Sequence, residues 1–67
     1  MNMIPVSSRN IASIGWYDNI LYVEFNYNNR TYRYKNVPRR IFEELMGAHS
    51  HGEYFAQYIK PVYECIY

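Results

Sequence analysis

Asp18-Asn19-Ile20-Leu21-Tyr22-Val23-Glu24-Phe25-Asn26-Tyr27-Asn28-Asn29-Arg30-Thr31-Tyr32-Arg33-Tyr34-Lys35 is the stretch that decides the fold. Leu21, Val23 and Phe25 alternate with Tyr22 and Glu24 at period two, so Ile20 to Asn26 reads as a half-buried strand. Asp18-Asn19 before it and Asn28-Asn29 after it are hairpin turns, because Asp and Asn tolerate the left-handed conformation that tight turns need. Arg30 to Lys35 follows as a strand with Tyr32 and Tyr34 on one face and Arg33 and Lys35 on the other. Ile11 to Asp18 precedes as another, with Ile14 and Trp16 on one face. Asn2 to Asn10 reads as an extended lead-in.

Beyond the strands the apolar period changes. Asn36-Val37-Pro38 passes from strand to helix, and Pro38 suits a first helical turn because its missing N–H costs nothing there. Ile41, Phe42, Leu45 and Met46 recur at helical spacing, and Gly47 stops the run. Ser50-His51-Gly52-Glu53 has the form of a capping box, so a second helix begins there. Its expected apolar face is Tyr54, Phe55, Tyr58 and Ile59, and Pro61 ends it. The apolar tail Val62 to Tyr67 is expected on the sheet edge or on a neighbouring subunit. Three antiparallel strands followed by two short helices on one face make an α+β domain, βββαα, over residues 1–67.

The chain has 67 residues, nine of them tyrosine. A core this small is marginal and needs support from large aromatics or a partner subunit. Cys65 is the single cysteine, which rules out a disulfide within one chain. His49, His51 and Cys65 lack metal-ligand spacing, so no cofactor is expected. A homo-oligomer is expected. The lone thiol, the lack of a leader pattern and the lack of a membrane-length apolar run predict a soluble cytoplasmic protein.

Seven basic residues face six acidic ones, for a net charge of +1. A long basic track for nucleic acid is therefore not predicted. Arg30, Arg33, Lys35, Arg39 and Arg40 nevertheless fall in an acid-free segment and can form a local cationic patch. Carboxylates without motif-like pairing and serines without an elbow or triad context argue against catalysis.

Four elements in order then resemble one family: Val6-Ser7-Ser8-Arg9-Asn10-Ile11, Tyr32-x-Tyr34, Val37-Pro38 and Ala48-x-Ser50-x-Gly52-x-Tyr54-Phe55-x-x-x-Ile59. Together they are similar to the KTSC domain, a small domain that also occurs at the C-terminus of some lysyl-tRNA synthetases. The resemblance spans nearly the whole chain. It implies the fold, and through the synthetase fusion it suggests RNA or tRNA as a ligand. Ala56 stands where the family pattern often has Asn, so no polar role carries over to that position.

The candidate binding residues are Ser8, Arg30, Tyr32, Arg33, Tyr34, Arg39, Ser50, Gly52 and Tyr54. Tyrosine rings can stack on bases, and arginine forks bind phosphate bidentately. Each has a structural competitor. Tyr32 and Tyr34 can be core rings, Arg33 and Arg39 can lie on solvated faces, and Ser50 can be an N-cap with Glu53 as its box partner. Glu53 would also repel a phosphate at that turn. The expectation is a non-enzymatic protein that acts by occupancy. It binds or sequesters a small linear or cyclic nucleotide signal, a sponge of the kind viruses use against host defence. The alternatives are an RNA- or tRNA-binding module and a protein–protein interaction module.

Overall fold

Among the described residues four strands, not three, form one antiparallel sheet in spatial order β1-β2-β3-β4. The computed structural model describes residues 2–67. The strands are β1 (Ile4–Pro5), β2 (Ile11–Tyr17), β3 (Ile20–Phe25) and β4 (Thr31–Tyr34). The extra strand comes from the lead-in. Pro5 has no N–H to give a ladder, and it sits where proline is tolerated, on an edge strand, opposite Ser13. The α+β class and the order of the remaining elements are as expected.

Local chemistry accounts for the turns. Asp18 and Asn19 have φ of 53° and 64°, which matches the right-handed twist of a two-residue hairpin. In the β3–β4 connection Asn29 takes φ of 55°. The step from β4 to helix turns at Asn36, with φ of 59°. Val37 is then held from two sides: its N–H donates to the Asn19 carbonyl at 2.9 Å, and its carbonyl accepts from Trp16 Nε1 at 2.7 Å.

One irregularity of β2 shapes everything next to it. Ile14 pairs Val23 and Ser13 pairs Glu24, but Ile11 pairs Phe25, so an extra residue is inserted at Ala12. A regular strand would put Ile11 on the same face as Ser13, away from the core. The bulge turns it inward, and Ile11 is fully buried.

Helix α1 is Arg39–Met46, with Pro38 one position earlier than expected, as the N-cap. Gly47 follows at φ of −90°, so its left-handed freedom is not used. The Leu45 carbonyl at that end accepts instead from Nδ1 of His51, at 2.8 Å. Helix α2 is His51–Tyr54, capped by Ser50, whose Oγ accepts from the Glu53 N–H at 3.2 Å. The chain then widens into a π-helical segment, Phe55–Ile59, closed by a bond from the Lys60 N–H to the Phe55 carbonyl at 2.9 Å.

Ile11, Ile14, Leu21, Val23, Tyr34, Val37, Ile41, Leu45, Phe55 and Ile59 make the core between the sheet and the helices. The expected apolar face of the second helix is corrected: Phe55 and Ile59 are buried, while Tyr58 is 54% exposed and meets the Tyr54 ring at a 42° tilt, centroids 4.8 Å apart. The tail runs along the free edge of β4. The Lys35 N–H donates to Glu64, and the Ile66 N–H to Arg33. Among the described residues, no helix is long and apolar enough to cross a membrane.

Candidate functional site

The bulge at Ala12, the loop before it and the π-helical segment together leave a trough at one end of the sheet. It has two compartments. The first, of about 310 Å³, is lined by Ile11, Phe25, Tyr27, Tyr32, Tyr34, Phe55 and Lys60. The second, of about 480 Å³, is lined by Ser8, Arg9, Ser50 and Glu53. Asn10, Gly52 and Ala56 line both, so the two compartments adjoin.

The aromatic compartment is built by edge-on ring packing. Phe25 meets Tyr32 at 75° with centroids 5.4 Å apart, and Phe55 meets both Phe25 and Tyr34 at similar separations. Such pairs are worth about 0.5–1.5 kcal/mol each beyond burial, and they fix the ring planes. Tyr34 is buried, and its desolvation, with Cys65 beside it, pushes its hydroxyl up to about 12. It therefore stays a neutral donor at physiological pH. Tyr32 is half-buried, and its hydroxyl accepts from Asn28 Nδ2 at 3.2 Å. Arg30 lies over the Tyr32 ring at 5.8 Å.

The polar compartment is built by a clamped loop. Ser8 Oγ accepts from the N–H groups of Asn10 and Ile11, at 3.4 and 3.3 Å. Asn26, at the end of β3, donates from Nδ2 to the carbonyls of Ser8 and Arg9, both at 3.1 Å. The Asn26 N–H adds a bond to the Asn10 carbonyl at 2.8 Å. Opposite lies the first turn of α2. A β-carbon on Gly52 would stand 3.6 Å from Asn10 Nδ2 and 4.0 Å from Ser8 Oγ, so this glycine lies close against the loop where the two compartments adjoin.

The geometry separates the candidate residues. Ser8, Tyr32, Tyr34, Ser50 and Gly52 converge on the trough, and Arg30 joins through its contact with Tyr32. Arg33, Arg39 and Tyr54 do not line it. Arg33 pairs with Tyr22, across the sheet from the helices, and its guanidinium donates to the Tyr67 carbonyl. Arg39 pairs with Glu43 at 3.0 Å and covers the Trp16 ring at 5.5 Å. An i,i+4 ion pair and a ring face thus take up the charge that opposes the helix dipole. The Tyr54 hydroxyl donates to Glu44 at 2.6 Å; desolvation, and then this bond, push its pKa up to about 12.

A sequence model of the KTSC domain matches residues 7–63. The chain belongs to the KTSC domain family. An uncharacterised protein of Stutzerimonas stutzeri (strain A1501) is 38% identical over 64 residues, which cover 91% of this chain and 87% of that protein. The crystal structure of a KTSC domain protein from Yersinia pestis is similar with a TM-score of 0.89 at 39% identity. That match covers 96% of this chain and 92% of the other. The trough, from Ser8 to Lys60, lies wholly within the matched KTSC span.

Within this KTSC domain, Arg9, Asn10, Tyr27, Glu53 and Lys60 are trough residues that pattern reading did not select. Lys60 is the instructive one. In an α-helix, at about 100° per residue, positions five apart point about 140° away from each other. In a π-helical segment they come close to alignment. The widened turn therefore carries Lys60 onto the wall that Phe55 lines. Asn26 had a weak signal, since an Asn ending an alternating strand often serves its own backbone. Here it serves the backbone of a loop 17 and 18 positions away.

Proposed function

We propose that this KTSC domain is a non-enzymatic protein that binds or sequesters a small nucleotide-type ligand, linear or cyclic, in the trough. The observation that carries the reading is the aromatic compartment: five rings around a hollow of about 310 Å³ with Lys60 on its wall. An aromatic platform supports a base by about 1–3 kcal/mol with little regard to its identity. Arg30 over Tyr32, Lys60 on the aromatic wall and Arg9 in the polar compartment are the cations that a phosphate can meet there.

A small ligand is favoured over RNA by charge. The net charge is +1, and Arg33 and Arg39 are committed elsewhere. Gripping a long backbone needs a cation for each neutralised phosphate. Self-association belongs to the same reading. A small core and the exposed Tyr58 and Val62 support it, and native mass spectrometry reports the subunit count.

Isothermal titration with ribonucleoside monophosphates, cyclic dinucleotides and tRNA, at low and physiological salt, tests the proposal. Saturable binding of a mono- or dinucleotide with a shallow salt dependence is the expected result. Steeply salt-dependent tRNA binding with no response to small nucleotides would replace it with the RNA reading. Silence toward both leaves the protein-interaction module.

A further inference from the structure

The polar compartment has a composition that does not suit a phosphate on its own. Glu53 is exposed, and among the described residues no ion pair or hydrogen bond engages its carboxylate. A carboxylate only accepts hydrogen bonds, through two oxygens, so it repels an anion and suits a pair of neutral donors. Around it, Ser8 Oγ and Ser50 Oγ already accept from backbone N–H groups, which leaves their protons free to donate. Among the described residues, Arg9 is the one cation lining this compartment. An acceptor-only acid that shares a compartment with two hydroxyls and a single arginine complements a polyol that carries one anionic group.

The compartment adjoins the aromatic one at Asn10, Gly52 and Ala56. The residues at this junction from the helix side are a glycine and an alanine, so the helix puts no bulky side chain between the two. A base joined to a sugar has that layout: a flat apolar part and, across one glycosidic bond, a ring that carries neighbouring hydroxyls.

We infer that the polar compartment holds the ribose of the nucleotide, with the Glu53 carboxylate accepting from the 2′- and 3′-hydroxyls and Arg9 facing the 5′-phosphate. The inference rests on the nucleotide reading above and adds to it a discrimination between ribose and deoxyribose. It also gives Glu53, an obstacle to phosphate at this turn, a positive role.

The test is isothermal titration of the four ribonucleoside 5′-monophosphates and their 2′-deoxy counterparts against the wild-type protein and Glu53→Gln. Gln keeps the capping-box side chain at this position, and a thermal melt verifies that the variant is folded. A hydrogen bond to a charged group is strong enough that the wild type should prefer the ribo form by about tenfold or more. Glu53→Gln should lose most of that preference by weakening the ribo form, which offers two hydroxyls to the carboxylate, more than the deoxy form, which keeps only the 3′-hydroxyl. Equal wild-type affinity for the two forms overturns the inference. So does a Glu53→Gln protein that binds both forms more tightly, since that places phosphate beside the carboxylate. The nucleotide reading survives both of those results. If no monophosphate of either kind binds, this inference falls with the reading it rests on.

Discussion

Gly52→Ala is expected to make the protein more stable and a worse binder at once. Gly52 is the second residue of α2, and its φ is not positive, so an alanine adopts its backbone without strain. The added methyl would meet Asn10 Nδ2 at 3.6 Å and Ser8 Oγ at 4.0 Å, both ordinary contacts. Replacing a helical glycine by alanine stabilises by roughly 0.5–1 kcal/mol, chiefly by restricting the unfolded chain. A first-turn position takes the lower figure, about 0.5 kcal/mol. For a domain of this size that raises the melting temperature by about 2–4 °C. The same methyl stands at the junction of the two compartments. A ligand lying across it would meet an overpacking cost of about 1–3 kcal/mol, a loss of roughly fivefold to 150-fold in affinity. Circular dichroism melts and nucleotide titrations on one preparation measure both. A lowered melting temperature would show that the glycine is needed for the fold. An unchanged affinity would show that no ligand crosses the junction, and the trough as one site would have to be abandoned.

Two further outcomes follow from the same geometry. Lys60→Ala should weaken nucleotide binding severalfold while changing stability by no more than about 0.5 kcal/mol, because the residue is exposed. Arg39→Ala should leave affinity unchanged, and a loss equal to that of Lys60→Ala would return Arg39 to the site. The Tyr34 hydroxyl sets an alkaline limit. A phenol has a pKa near 10 when unfolded and here about 12 when folded, so the folded state keeps its proton longer. The stability this confers is complete below pH 10 and is lost as pH rises to 12, an effect on the order of 2–3 kcal/mol. Urea melts from pH 8 to 12 should fall less steeply for Tyr34→Phe than for the wild type, and parallel curves would refute the assignment.

Much of the fold is legible in local pattern because its signals are local. Period two across Leu21, Val23 and Phe25 needs only a sheet with one buried face. Asp18-Asn19 states its own turn. Ser50 and Glu53 state a helix start, and the Ser50 hydroxyl does accept from the Glu53 N–H. What escaped was non-local. Ile4 and Pro5 become a strand only because β2 offers an edge. Tyr58 sits at helical spacing from the buried Phe55, but the π-helical turn rotates it to solvent.

The candidate site divides along the same line. The residue types were readable: tyrosines at period two, a serine and glycine at a helix start, arginines in an acid-free run. Which cations face the tyrosines was not. That depends on which side of the sheet the helices cover, on a one-residue bulge at Ala12 and on a one-residue widening after Tyr54. Each of these reverses or rotates every side chain beyond it, and each is selected by burial of residues distant in sequence: Ile11 against Phe25, and Phe55 against Phe25 and Tyr34. By itself the sequence determined the order of the elements from β2 onward, the turns and the helix starts, since those follow from backbone preferences of a few neighbouring residues. The tertiary structure alone decided that Lys60 and Arg9 line the trough while Arg33 and Arg39 do not, because a charge acquires its neighbours only when the core has chosen its register.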